Sequence, residues 1–242
     1  MTVLNSANCT PGRGDAMMKR LVFFVLCLAV AVSGFAQSKV DERLTESTAV
    51  LKTILSKGDG IPKDVLNKSV CVLVYPGVKK VGVGIGVSYG RGVIVCRTGA
   101  DMNGTWGAPA MYSLDTGSVG AQLGSSSTDY VLLVVSQRGA DKVLSGKVKL
   151  GQGASAVAGP SGANAAAFND PNVDILSYSQ SKGLFAGASL GMADMESDAK
   201  ANKELYGKDV DAAQLVRNAK EPVPAAAKPL VDVLVKASPK RM

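Results

Sequence analysis

Serine three residues ahead of lysine occurs at Ser179–Lys182 and at Ser197–Lys200, the nearest approach to catalytic spacing in the chain. A lysine of depressed pKa can replace histidine as the base for a serine nucleophile. Neither pair is accompanied by the Ser-Asp-Asn or Lys-Thr-Gly partners of penicillin-recognising enzymes. The sequence contains no histidine, which removes Ser-His-Asp and Cys-His machinery together with imidazole metal sites. Gly82, Gly84 and Gly86 miss the Gly-x-Gly-x-x-Gly spacing of a dinucleotide loop, and no Gly-x-x-x-x-Gly-Lys run is present. Asp194, Glu196 and Asp198 are closely spaced but lack a calcium-loop pattern; at a helix start they complement its dipole. These residues describe a non-enzymatic protein with no cofactor and no metal.

The basic residues are the better clue. Lys79 and Lys80 follow a turn, Arg91 and Arg97 bracket a strand, and Lys147 and Lys149 alternate with apolar neighbours and so share a sheet face. Lys182 lies in a Tyr-Ser-x-Ser-Lys-Gly-Leu run, and Lys52 lies on an N-terminal helix with Lys39, Arg43 and Lys57. If several converge, they form a site for anionic lipid, each contributing on the order of 1 kcal/mol near a charged bilayer. Ordinary solubilising charge is the competing reading. The net charge of +7 is below that of a dedicated nucleic-acid binder, and 5% aromatic content supplies no stacking platform, so nucleic acid is not an expected partner.

Hydropathy patterning supplies the elements that must hold these side chains. Residues 38–57 read as a helix with Val40, Leu44, Leu51, Ile54 and Leu55 near one face and Ser47 filling the gap. Its mixed charge departs from a strongly basic membrane helix. Pro62 suits the first turn of a short helix over 62–68. Residues 70–75 read as a buried strand stopped by Pro76-Gly77. Over 81–87 the period becomes two: Val81, Val83, Ile85 and Val87 alternate with Gly82, Gly84 and Gly86. The bare glycine face calls for something pressed closely against it, protein or ligand. Further strands are predicted at 92–97, 109–114, 118–123, 130–136, 147–150, 174–180 and 184–190, with turns at 99–105 and 115–117. Residues 138–144 read as a short helix and 151–170 as a long loop with some strand. Helices return at 198–206, with Ser197 as N-cap, and at 209–218. A Pro-rich linker then leads to a helical tail over 225–237. The order implies one α+β domain: a curved, largely antiparallel sheet, barrel-like or a sandwich, flanked by N- and C-terminal helices.

The N-terminus reads as an address. Lys19-Arg20, an apolar run from Leu21 to Val32 and small residues before Gln37 describe a signal peptide over 1–36, with 1–16 as an over-long start. Export to the periplasm or the extracellular space is the expectation, with membrane association. Cys71 and Cys96 then remain. A disulfide requires their strands to be neighbours in register; two buried free thiols are the alternative.

An ordered series of short pieces runs through the chain: Tyr75-Pro76-Gly77, Gly90-Arg91-Gly92, Gly104-Thr105-Trp106-Gly107, Ala158-Gly159-Pro160, Tyr178-Ser179-Gln180-Ser181-Lys182-Gly183-Leu184 and Asn202-Lys203-Glu204-Leu205-Tyr206-Gly207. This series resembles the SYLF domain, a family of lipid-binding modules also described as an actin-patch domain in fungi. The resemblance implies a SYLF-like domain over 37–218, with 219–242 as linker and tail. It also implies a membrane contact through an N-terminal segment, which matches 38–57 here; together with the basic set, the expectation is a peripheral contact with anionic phospholipid through Lys79, Lys80, Arg91, Arg97, Lys147, Lys149, Lys182 and Lys52. An apolar helix face would add shallow insertion. A structural or protein-interaction module of the envelope without lipid affinity is the alternative. Actin, a cytosolic partner, does not fit an exported chain.

Overall fold

The computed structural model describes residues 38–57, 60–160, 170–181, 184–187, 193–218 and 221–241; for 81–86, 117–125, 184–187 and 218 the backbone alone is described. The signal-peptide reading, Lys182, residues 161–169 of the long loop and the side chains on either face of 81–86 therefore fall outside the described features. In chain order come α1 (Lys39–Ser56), α2 (Lys63–Lys68), β1 (Cys71–Cys96), β2 (Ala110–Val134), α3 (Gln137–Val143), β3 (Lys147–Lys149) and β4 (Ala156–Ala158). They are followed by β5 (Ile175–Ser181), β6 (Leu184–Gly187), β7 (Ala193–Ser197), α4 (Ala199–Tyr206), α5 (Ala212–Asn218), a 3₁₀ turn (Ala225–Ala227) and α6 (Lys228–Ala237). The strands form one seven-stranded sheet, antiparallel except where β4 runs parallel to β5. The fold is α+β, as the order of elements implied.

Two strands dominate. The segments read as separate strands at 70–75, 81–87 and 92–97 are one strand of 26 residues, and those at 109–114, 118–123 and 130–136 merge into one of 25. Pro76-Gly77 does not stop β1, because the ladder with β2 resumes at Val78 opposite Thr128 after a shift of register. Gly77 takes φ +55 and donates its N–H to Asp129 Oδ1 at 2.8 Å. A bulge tolerates proline, which has no N–H for the ladder. The predicted turn at 115–117 is likewise continuous strand, paired with Val87, Ser88 and Tyr89.

A straight strand of that length would span about 80 Å. The Cα atoms of Cys71 and Cys96, its two ends, lie 3.9 Å apart, so β1 curls back until its ends touch. The two sulfurs are bonded, and Arg97 N–H donates to the Val70 carbonyl at 2.8 Å beside them. Register was the missing quantity in the sequence, because the cysteines are neighbours only through this curl.

The curl creates two buried faces. Leu73, Tyr75, Ile94, Tyr112, Leu114 and Leu132 point inward and pack with Met195, Val143 of α3 and Val216 of α5. Val72, Val74, Val93, Val95, Met111 and Leu133 point outward under a layer made by α1 and α6. Glycines mark where the curl closes: a Cβ on Gly92 would strike the Val74 carbonyl and the Tyr75 ring, and one on Gly90 would strike Val78.

Helix α1 forms where the pattern predicts. Ser38 caps it by accepting from Asp41 N–H at 3.1 Å, and Asp41 and Glu42 sit in its first turn. Val40, Leu44, Leu51 and Ile54 are 0–2% exposed. Each such side chain contributes roughly 1.5–3 kcal/mol by leaving water. This corrects the expectation of shallow insertion: the apolar face of α1 is already packed. The tail behaves similarly, since Leu230 and Leu234 of α6 are fully buried in the same core. At α4 the cap is Asp198, not Ser197; it accepts from Ala201 N–H at 3.1 Å. Pro62 is the residue preceding α2 instead of a member of its first turn.

Candidate functional site

Each outward side chain of β1 meets a fate decided by where the helical layer ends. On the second half of the strand the pattern is strict: residues 87, 89 and 91 are exposed, while 88, 90 and 92 are buried. From Val93 onward the outward face lies under α1 and α6. Beyond the edge of that layer stand Val87 and Tyr89, 51% and 50% exposed, which are the exposed large apolar side chains among the described residues. The bulge at Pro76-Gly77 shifts the pleat of the first half, so Val78 turns inward and Lys79 outward. Lys79, Tyr89 and Arg91 thereby come to one groove of about 250 Å³ with Lys39, Glu42, Arg43 and Glu46 of α1.

The groove has four cations and two carboxylates on its walls. Asp198 lies at its margin, 3.5 Å from Arg43 and 3.6 Å from Arg91 through one oxygen, Oδ2. Arg43 is mostly buried, and burial lowers its pKa while Asp198 pulls it back up. Arg91 is 55% exposed and keeps most of its guanidinium in water. Among the described residues Lys79 has no ion pair. The arrangement can therefore hold an anion between Lys79 and Arg91 while Val87 and Tyr89 project beside it.

The other predicted site residues are placed elsewhere. Lys80 follows Lys79 on the opposite side of the strand and is half-buried. Lys147 and Lys149 share an exposed face as read, but β7 opposes them with acids: Lys147 pairs with Glu196 at 3.6 Å, and Lys149 lies opposite Asp194. Lys52 is exposed on α1 in a different groove, lined by α1, α2 and α6. Lys182 lies outside the described residues.

Arg97 is a correction. It is 0% exposed and cannot meet a ligand at the surface. Its Nε donates to the Ser69 carbonyl at 3.0 Å, Nη1 to the Gly104 carbonyl at 3.3 Å, and Nη2 to Ser238 Oγ at 2.6 Å and the Ser238 carbonyl at 3.2 Å. The guanidinium lies 4.2 Å over the Trp106 ring, whose Nε1 also donates to the Ser238 carbonyl at 2.9 Å. Ser238 Oγ donates in turn to Asn67 Oδ1 at 2.6 Å. Burial, assisted by the nearby Arg241, lowers the pKa of Arg97 to about 10, so it stays charged at neutral pH. The cluster ties the end of α6 to the end of β1.

The remaining pieces of the glycine and tryptophan series are fold contacts too. Gly159 leaves room for the Tyr178 ring, whose hydroxyl donates to the Pro160 carbonyl at 3.1 Å. Asn202 clasps Met111 by accepting its N–H at 2.6 Å and donating to its carbonyl at 3.1 Å. Tyr206 donates to the Pro109 carbonyl at 2.6 Å, and Gly207 ends α4 at φ +68. A series made of such contacts identifies a fold family. Residues 115–237 match the model of the Ysc84 family, described as Las17-binding protein actin regulator.

The chain belongs to the Ysc84 family. This is the SYLF family that the series resembles. The chain is 36% identical over 179 residues to the SH3 domain-containing protein PJ696.02 of Schizosaccharomyces pombe, covering 72% of this chain and 40% of that one. It is 33% identical over 150 residues to Protein YSC84 of Saccharomyces cerevisiae, covering 60% of this chain and 31% of that one. With LAS seventeen-binding protein 3 of the same yeast species it shares 32% identity over 182 residues, 72% of this chain and 38% of that one. The chain thus spans less than half the length of these relatives. No solved structure matches it significantly. The Ysc84 family is one of binding and regulatory modules.

Sequence reasoning reached Lys79 and Arg91 but missed their companions Tyr89 and Asp198 as parts of one site. The signal for Tyr89 was present. The alternation at 81–87, continued by two steps, puts Val87, Tyr89 and Arg91 on one face.

Proposed function

We propose that this Ysc84-family domain is a non-enzymatic module that docks peripherally on anionic phospholipid surfaces through the β1 edge. The observation that carries the reading is Val87 and Tyr89, half exposed on the same strand face as Arg91 and next to Lys79. An apolar residue and a tyrosine standing in water beside basic side chains suit the boundary between head groups and acyl chains. Lys79, Arg91, Lys39 and Arg43 would meet phosphate, with Lys80 adding long-range attraction. The helices act as a rigid support and not as the inserting element. The contact is placed in the compartment to which residues 1–36 would export the chain.

The test is co-sedimentation with neutral and with anionic vesicles at low and high salt, using the wild type and a Lys79→Glu/Arg91→Glu double variant. Two reversed charges, at about 1 kcal/mol for each unit of charge near the surface, predict at least a tenfold loss on anionic vesicles. Binding should weaken with salt, because exposed charges are screened within about 10 Å at 0.1 M. Equal retention of both proteins, or no retention of the wild type at low salt, overturns the proposal.

A second reading is favoured by the comparisons: one relative is named LAS seventeen-binding protein 3, and the family is described as Las17-binding protein actin regulator. In that reading the domain holds a protein partner and has no lipid affinity.

A further inference from the structure

A second groove, of about 630 Å³, opens on the far half of α1 from the β1 edge, with walls from α1, α2 and α6. Its floor includes Leu55, Leu66 and Val233. Leu66 is 1% exposed, whereas Leu55 and Val233 remain partly open to water. Three cations stand on the rim, one from each wall: Lys52 of α1, Lys63 of α2 and Lys236 of α6. All three are exposed, and none has an ion pair among the described residues. Among the described residues no carboxylate lines the groove; the acid on α6, Asp232, is held by Lys228 at 2.7 Å.

We propose that this groove is a docking site for an acidic amphipathic helix of a protein partner. The walls are helices, whose backbone groups are bonded internally, so the groove offers no free strand edge for an extended peptide. Recognition must run through side chains, and the apolar stripe of a helix matches an apolar floor. The charges decide the class of occupant. A phospholipid brings one head group and would engage one wall. Three lysines on three walls match carboxylates spread along both flanks of a helix. The groove is also an open trough, which does not seclude an acyl chain from water. This proposal is independent of the lipid contact at the β1 edge, since the two grooves share no lining residue.

The experiment uses the full chain and a fluorescein-labelled helical peptide of about four turns, with leucines at i, i+3, i+4 and i+7 and glutamates on both flanks. A matched peptide carrying lysines in place of the glutamates is the control. Anisotropy should show the acidic peptide binding and the basic peptide at least about tenfold weaker. A Lys52→Glu/Lys63→Glu/Lys236→Glu variant should lose the acidic peptide, and Lys79→Glu/Arg91→Glu should keep it. Val233→Arg, which fills the floor without touching the rim, should also abolish binding and guards against misfolding of the triple variant. Equal binding of both peptides, no binding of the acidic one, or full affinity in the triple variant overturns the proposal. Loss of anionic-vesicle binding in the triple variant, with no peptide affinity in the wild type, overturns it in favour of a membrane.

Discussion

Arg91 and Arg97 stand near the same end of β1, on the same face of its pleat, and their surroundings have nothing in common. Arg91 is 55% exposed, with one long contact to Asp198 at 3.6 Å. Arg97 is fully buried, makes four hydrogen bonds and lies over Trp106. The difference is the helical layer, which begins to cover the strand at Val93. In front of that edge a basic residue is available to ligands. Behind it the same residue type becomes part of the fold. Basic residues counted along a sequence therefore say little about a binding surface until the covering layer is placed.

The largest effect should come from the covered arginine. Arg97→Ala takes the arginine donor from the Ser69 and Gly104 carbonyls and from Ser238 Oγ, while the Ser238 carbonyl keeps Trp106 Nε1. At about 1–3 kcal/mol for each buried group left unpaired, partly relieved by water entry, the variant should lose about 3–5 kcal/mol in urea denaturation. Arg91→Ala should stay within about 0.5 kcal/mol, as exposed ion pairs usually do. Similar losses for the two variants would break the comparison.

Next comes the glycine beside the exposed arginine. Gly92→Ala adds a methyl directed at the Val74 carbonyl and the Tyr75 ring, where the two halves of the curled strand meet. Overpacking at a site with no room to yield should cost about 3 kcal/mol, read from the same denaturation curves. A neutral result would mean that the curl is looser than this contact implies. The effect belongs to the fold, so anionic-vesicle binding of the folded protein should not change.

Acidic residues repeat the contrast. Asp174 is 1% exposed and accepts from Ser136 Oγ at 2.7 Å, Arg138 Nε at 2.8 Å, Lys142 Nζ at 3.1 Å and Ser155 N–H at 3.1 Å. Burial raises its pKa, but those hydrogen bonds together outweigh burial and hold it below the ordinary carboxylate value. A depressed folded pKa stabilises the protein above the unfolded value near 3.9, and that stability is lost as pH falls through the folded pKa. Urea midpoints should accordingly decline below about pH 4, and Asp174→Asn should flatten the decline while lowering stability at neutral pH. An unchanged acid profile in that variant would show that other groups control it.

The helices at both ends, the antiparallel strands and the apolar face of α1 were legible because each rests on local periodicity. Val40, Leu44, Leu51 and Ile54 report a helix without any knowledge of what covers it. The length of β1 was not legible. Pro76-Gly77 has the composition of a turn, and only the partner strand reveals a bulge. The same holds for Cys71 and Cys96, which are distant along the strand and adjacent through its curl. At the β1 edge, Lys79 and Arg91 were visible as charges, but their convergence depends on the bulge and on the limit of the helical layer. Arg97 could not be separated from Arg91, because both follow the same alternation. Trp106 held a clue to it, since an isolated tryptophan between glycines needs a partner for its N–H.

The smallest expected effect is the most direct test of whether the β1 edge meets anions. Asp198 caps α4 and also neutralises Arg43 and Arg91. Asn caps a helix about as well as Asp, so Asp198→Asn keeps the cap and removes only the charge. Stability should fall by no more than about 1 kcal/mol, because Arg91 is exposed and Arg43 retains some contact with water. If head groups bind between Lys79 and Arg91, removing a competing carboxylate should strengthen anionic-vesicle binding about threefold at low salt. The gain should vanish at high salt, where the added charge is screened. An Asp198→Asn protein that is folded and binds no better than wild type would place any anion contact away from Arg91. The exposed arginine would then be as uninvolved in binding as the buried one.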